Sequence, residues 1–502
     1  MSERSAKYLF LITIIILILV SLGQHLYATQ WGIGLFGSDS FRYVASARNL
    51  VDGNGLYFPT NNKRLAPLTT FPPLLPGLLA SFDFAGLDIL ISARYFYAIL
   101  YGLSGLLFVL TIYKATHSFA FASYGGLLFI SSPNLIKVYS VIMTEGPFIL
   151  LTLTGFLLFN QYLQNHRYLF IVLLGLVLGA TVLGRYIGVA NVLTILVALL
   201  LLTKGTSRKL RDMVTIGFLG IFPIALWTLR NYLLVEKINN RLIGYHPPVL
   251  KNYLAIFYGF FTWFLPEKYI LGYEKAFVFL GLFFGIAALL FFVLYINRKY
   301  GSPRHIPIRI LRLPPLIILF GLYIFIYIAV LLIAKTFFEP NIGFEDRIIT
   351  PILLSILFLF TTLLYYLWNS RLPLIKVIVV LILIYVPVFS YARSSATLRD
   401  YHQDGIGLAR REMRTSQALK TLSELARTNI VYNNNLYASY FYAGQVGYHL
   451  KHFSLEHDDK DKSVFAIYSP SAEDTFIHKY DDQLELIISD PVVSIYRFKS
   501  GP

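Results

Sequence analysis

The chain has 502 residues, of which 56% are hydrophobic and only 14% charged, where a soluble domain carries about a quarter charged residues. That much apolar surface cannot be enclosed in one water-soluble core, so lipid must solvate a large part of it. A formal charge of +16 would suggest nucleic acid in a soluble protein; here the basic residues fall in short loops between apolar runs, where they signal orientation, and no nucleic-acid partner is expected. Without cysteine, neither disulfides nor thiolate metal sites are available.

Apolar runs long enough to cross a bilayer, about 20 residues each, fall near 8–27, 93–113, 118–135, 146–163, 168–184, 187–203, 213–230, 276–296, 314–334, 348–367 and 374–391. This predicts an all-α polytopic membrane protein with about eleven transmembrane helices. The first run is read as a retained span because so many spans follow it, although Leu26-Tyr27-Ala28 has the form of a cleavage site. With Arg4 and Lys7 on the cytoplasmic side, alternation places the densely basic loops around Arg208-Lys209 and 298–312 on that side too. Residues 392–502 then lie outside the cytoplasm and read as a small α/β soluble domain. It has a helix near 404–427 and strands near 428–433, 463–468, 485–489 and 492–498. The division is 1–391 for the membrane part and 392–502 for the soluble part.

The first outer loop, 28–92, carries the most information. Asp39 precedes a helical pattern over 40–51 that suits an interfacial helix, and spacing alone favours Asp39 as its N-cap. Gly53 and Gly55 end that helix, and Phe71-Pro72-Pro73-Leu74-Leu75-Pro76 starts a return to the membrane. A second outer loop, 231–275, is rich in aromatics, among them Tyr245, Tyr253, Tyr258 and Trp263. Such rings stack on sugars and also anchor interfacial helices. Glu145 opens a span where the helix dipole alone would favour an acid.

Taken in order, Asp39, Tyr43, Ala47-Arg48-Asn49-Leu50, Gly53-Asn54-Gly55-Leu56 and the proline cluster resemble the first outer loop of the C-type glycosyltransferases. The particular likeness is to the group containing protein O-mannosyltransferases and lipid A aminoarabinose transferases. Met143-Thr144-Glu145, Arg185-Tyr186 and Glu345-Asp346-Arg347 followed by Pro351 resemble later features of that group. One departure is Ser40, where many relatives have a second acid beside the first, which puts a metal role for this loop in doubt.

The resemblance implies an inverting, metal-independent transfer of a sugar from a polyprenyl-phosphate donor to a lipid, glycan or protein acceptor on the outer face, without cofactor. It implies Asp39 and Glu145 as catalytic residues, and Lys63, Arg64, Arg94, Arg185, Arg347 and Tyr43 as substrate-binding residues. The residue types suit the chemistry. An oxocarbenium-like transition state needs a carboxylate to accept the acceptor's proton, and a departing phosphate needs fixed cations. Two alternatives are a lipid or sugar transporter, which would place charges within its spans, and a non-catalytic scaffold of the same fold.

The orientation is testable because the chain lacks cysteine. Single cysteines introduced at Ser207 and Ser471 should label from opposite sides of sealed vesicles; labelling of both from one side contradicts the assigned topology.

Overall fold

The structure is a computed structural model that describes residues 3–61, 64–203, 205–236, 244–247, 249, 263, 313–338, 346–455, 458–468 and 475–499. The expected span at 276–296, Lys63, and most of the aromatic loop 231–275 lie outside the described residues.

The chain is mostly helical. Helix α1 (Glu3–Ala28) is followed by α2 (Gly37–Val51), a hairpin of β1 (Tyr57–Pro59) and β2 (Leu65–Pro67), and α3 (Leu74–Phe84). Then come α4 (Ile89–Thr116), α5 (Phe119–Ile130), α6 (Pro133–Tyr139), α7 (Glu145–Asn165), α8 (Tyr168–Gly184), α9 (Val189–Leu202) and α10 (Thr206–Val235). After the undescribed stretch the long helices are α11 (Pro315–Phe337), α12 (Asp346–Trp368) and α13 (Pro373–Asp404). Among the described residues, seven helices are long and apolar enough to cross a membrane, or eight if α5 and α6, bent by 61°, form one broken span. The segments Leu74–Phe84, Tyr168–Gly184 and Tyr186–Leu202 are shorter apolar helices. This is an integral, multi-pass membrane protein.

Close helix packing follows from side-chain size. Gly175 and Gly179, one turn apart, let α8 meet α10 so closely that a Cβ at Gly179 would sit 2.6 Å from the Leu219 carbonyl oxygen, the small-residue device by which membrane helices approach. Elsewhere aromatic rings fill the interior: Phe320 stacks on Phe358 at 4.0 Å, and Tyr101 on Tyr139 at 4.8 Å.

Helix α13 continues unbroken past residue 391 to Asp404, where Gly405 and Gly407, both at positive φ, end it. The helix expected near 404–427 is therefore three pieces: the end of α13, then α14 (Arg411–Thr415), then α15 (Gln417–Leu425), which Ser416 caps by accepting from the Leu419 amide at 2.9 Å. Beyond them β3 (Ile430–Asn433), β4 (Tyr448–His449), β5 (Ser463–Tyr468), β6 (Leu484–Ser489) and β7 (Val493–Phe498) form one mixed sheet in the order β4-β3-β5-β7-β6. Helix α16 (Leu436–Ala443) crosses from β3 to β4, capped by Asn435, whose side chain accepts from the Ala438 amide at 3.1 Å. The last helix, α17 (Thr475–Tyr480), precedes β6. The two-residue β4 had no periodic signature to read.

The sheet unit is docked on the membrane part. Phe41 of α2 packs against Tyr437 and Tyr440 of α16, with ring centroids at 5.2 and 5.0 Å. At the end of α13, which leads into the sheet unit, the His402 ring stacks on Tyr27 at 3.8 Å, and its backbone carbonyl accepts from Gln30 and from the Trp31 indole. A helix expected to lie on the membrane surface is thus covered on its outer side as well.

Within the sheet unit, one carboxylate holds two elements. Asp490 accepts from Ser416 Oγ at 2.6 Å, from the Ala418 amide at 3.3 Å, and from the Val492 and Val493 amides at 2.9 and 3.1 Å. Partial burial raises its carboxyl pKa, but these hydrogen bonds outweigh that and hold it below the ordinary value. A depressed folded-state pKa contributes stability that is present above the unfolded value and lost as pH falls through the folded one. Acid should therefore loosen the contact between α15 and the β6–β7 turn, read as faster amide exchange at 416–419 and 490–493. Asp490→Ala should show the same loosening at neutral pH, at a cost of about 1.5–3 kcal/mol.

Candidate active site

Two short stretches carry acids into one place. Asp39 lies in the first turn of α2, and Glu145 is the first residue of α7. Helix α2 begins at Gly37, so Asp39 is not its cap, contrary to what spacing suggested. Instead Ser40, fully buried, supplies the local hydrogen bonds: its Oγ accepts from the Phe36 amide at 2.7 Å and donates to the Ile142 carbonyl at 3.0 Å. A carboxylate at this position could not make the second bond, because it has no proton to give. Asp39 is left free for other contacts.

Each acid meets an arginine from a distant part of the chain. Arg347, at the start of α12, donates from Nη1 to Asp39 Oδ2 at 3.1 Å, and its guanidinium lies 5.6 Å from the Phe36 ring centre. Arg185, in the break between α8 and α9, places Nη1 2.7 Å from Glu145 Oε1. The Glu145 side chain is only 3% exposed, and its second oxygen has no hydrogen-bond partner among the described residues. The remaining oxygen of Asp39 accepts from Ser38 Oγ at 3.2 Å.

The two pairs line a cavity of about 530 Å³. Tyr43, Phe71 and Pro72 close it from the first loop, Met143 and Thr144 from the approach to α7, and Tyr327, Val330, Leu331 and Ala334 from α11. Burial pushes the Tyr43 phenol well above its ordinary pKa, and the charges of Asp39 and Glu145 push it the same way, so it stays a neutral hydroxyl. Tyr327 donates to the Ile348 carbonyl at 2.6 Å and so fixes the start of α12 beside Arg347. A second cavity of about 220 Å³ shares Met143, Glu145 and Arg347 with the first and is otherwise lined by residues such as Phe36, Asn134, Lys137 and Tyr401.

Of the residues singled out in the sequence, Asp39, Tyr43, Glu145, Arg185 and Arg347 surround the larger cavity. Arg94 does not: it donates to Thr29 Oγ1 at 3.1 Å and to the Leu26 carbonyl at 3.0 Å, tying α4 to the end of α1. Arg64 is exposed on the hairpin, away from the cavity. Tyr327 and Met143 were not singled out as site residues. Tyr327's only sequence signal is a tyrosine in the outer half of an apolar run, which reads equally as an interface ring. No group of three or more acidic or histidine side chains suited to a metal ion occurs among the described residues.

The sequence profile of the family described as dolichyl-phosphate-mannose-protein mannosyltransferase matches residues 69–239. No protein of curated function matches the chain in sequence. Among solved structures, ArnT from Cupriavidus metallidurans bound to undecaprenyl phosphate superposes with a TM-score of 0.54 at 13% identity, over 99% of this chain and 98% of that one. The archaeal oligosaccharyltransferase AglB from Archaeoglobus fulgidus, in complex with an inhibitory peptide and a dolichol-phosphate, gives 0.53 at 11% identity, over 89% of this chain and 65% of that one. The mycobacterial arabinofuranosyltransferase AftD gives 0.53 at 12% identity, over 100% of this chain and 42% of that one. The chain has the C-type fold that these polytopic membrane glycosyltransferases share.

Proposed function

We propose that the protein transfers a sugar from a polyprenyl-phosphate donor to an acceptor hydroxyl at the outer face of the membrane, with inversion and without a metal. The observation that carries this reading is the Asp39–Arg347 pair: Asp39 lines the larger cavity, and Arg347 belongs to the wall that the two cavities share. The carboxylate, in this reading, is the proton acceptor and the arginine beside it binds phosphate. In this reading about eleven spans orient the N-terminus to the cytoplasm and residues 392–502 outward.

The larger cavity takes the donor. Its α11 wall of Val330, Leu331, Ile333 and Ala334 suits a polyprenyl chain, and Arg185 and Arg347 stand where the phosphate gains charge as the glycosidic C–O bond breaks. Arginine's planar fork pairs with two phosphate oxygens at once. The smaller cavity admits the acceptor. Its hydroxyl attacks the anomeric carbon from the face opposite the phosphate, and Asp39 takes the proton. Glu145 holds Arg185 in place and lends negative charge near the developing cation.

The direct test incubates purified protein with polyprenyl-phosphate mannose or aminoarabinose and a membrane extract, with a chelator present. Released polyprenyl phosphate and new glycoconjugates are read by mass spectrometry. Transfer should persist under chelation and should fall by about 10²–10⁴ in Asp39→Asn. Near-normal turnover in a folded Asp39→Asn protein, or transfer from a nucleotide sugar alone, contradicts the reading. Arg347→Ala should weaken undecaprenyl phosphate binding by about 1.5–3 kcal/mol, with Arg347→Lys recovering only part because the fork is lost.

A further inference from the structure

Three chain segments far apart in sequence run side by side beneath the two carboxylates. Gly34 pairs with Val141: the Gly34 amide donates to the Ser140 carbonyl, and the Ile142 amide to the Gly34 carbonyl, both at 2.9 Å. On the other side of the first segment, Leu35 pairs with Gly407, and the Leu408 amide donates to the Leu35 carbonyl at 3.0 Å. Most of the seam is buried: Leu35 is 1% exposed, Ile142 fully buried and Ile406 6% exposed, with Gly407 and Leu408 half-buried.

The seam sits immediately before both acids. Asp39 follows Leu35 by one helical turn, with Phe36 under the Arg347 guanidinium and Ser40 bonded back to Ile142. Glu145 follows Ile142 by three residues. Relative placement of the two carboxylates is therefore set by the register of 34–35 against 140–142, and the third segment, 406–408, locks that register from behind. Gly407 has φ +57°, where side chains are strained, and any Cβ there would collide with the Leu35 carbonyl oxygen. The segment is in turn tied to the sheet unit, since the Tyr442 hydroxyl of α16 donates to the Leu408 carbonyl at 2.6 Å.

We propose that residues 406–408 act as a positioning element for the reacting carboxylates, with Gly407 as the positioning residue, so that the C-terminal unit contributes to the bond-making step through the backbone seam, beside the Ile406 side chain that lines the smaller cavity. This rests on the reading of Asp39 as the base. Removal of everything after Tyr391 would delete one side of the seam.

Gly447 supplies the matched control. It has φ +69°, and a Cβ there would lie 2.5 Å from the Val431 carbonyl oxygen, so Gly447→Ala strains the sheet unit to a similar degree away from the seam. The experiment compares full-length wild type, Gly407→Ala, Gly447→Ala, Tyr442→Phe and Asp39→Asn in detergent. It measures turnover of polyprenyl-phosphate sugar, affinity for undecaprenyl phosphate, melting temperature, and amide exchange at Ile142 and Leu408. Gly407→Ala should lower turnover at least about tenfold, as sub-ångström to 1 Å misplacement does. Its affinity for undecaprenyl phosphate should stay within about threefold of wild type, and exchange at both amides should rise. Tyr442→Phe should shift the same readouts in the same direction by less. Gly447→Ala should melt earlier with turnover close to wild type. Equal turnover loss in Gly407→Ala and Gly447→Ala at equal stability overturns the proposal while leaving the base intact, whereas an active Asp39→Asn overturns the base assignment itself. Should Gly407→Ala fail to fold, Tyr442→Phe decides alone: unchanged turnover with raised exchange at Leu408 refutes a positioning role.

Discussion

Charge at the edge of a membrane is tolerated when it is paired, and the structure is arranged around that constraint. An isolated carboxylate in a low-dielectric cavity would take up a proton rather than stay ionised. Glu145, almost wholly enclosed, is held by Arg185, and Asp39 by Arg347. The partners come from helices that are neighbours only after the bundle has formed, so the pairs depend on the fold and report on it. Replacing one member of such a pair leaves a charge without its partner, which costs more than the pair contributes. These pairs also hold two cations in place before any anionic ligand arrives, and pre-organised charge is the form of electrostatic stabilisation that needs no rearrangement during reaction.

The cavities give those pairs a direction. The larger one backs onto the apolar C-terminal half of α11, and the smaller one opens among Phe36, Lys137 and Tyr401. Met143, Glu145 and Arg347 belong to both walls. Two reactants seated in separate compartments with a common wall meet at a fixed angle, which converts an encounter in solution into a step between oriented groups. The proposed in-line displacement needs that geometry more than it needs any further functional group.

Much of the fold was legible because long apolar runs have few interpretations: each described helix that can cross a membrane falls on a predicted run. The strands of the tail were readable from their β-branched and aromatic content, except β4, which is two residues long. The helix expected over 404–427 was not, because Gly405 and Gly407 at positive φ end α13 at its start and Ser416 caps a new helix within it. Within the site, the order of motifs marked Asp39, Glu145, Arg185 and Arg347, but not which acid meets which arginine, since 308 positions separate Asp39 from Arg347. Asp39 read as a cap because a one- or two-residue shift in the helix start exchanges cap and first turn; the buried hydroxyl of Ser40 supplies the local bonds instead. Arg94 shows the opposite case: its charge looked available from sequence, yet it donates to Thr29 and to the Leu26 carbonyl and so ties α4 to the end of α1. The seam of 34–35, 140–142 and 406–408 carried no signal, because backbone pairing over two residues has no periodicity.

The central claim is that Arg347, which pairs with Asp39 in the free protein, and Arg185 form the seat of the donor phosphate, and an experimental structure of the protein with undecaprenyl phosphate tests it most directly. The account predicts the phosphorus in the larger cavity between Arg185 and Arg347, the polyprenyl chain along α11, and Asp39 turned from Arg347 toward the smaller cavity. A phosphate bound elsewhere, with the Asp39–Arg347 pair intact, would contradict it.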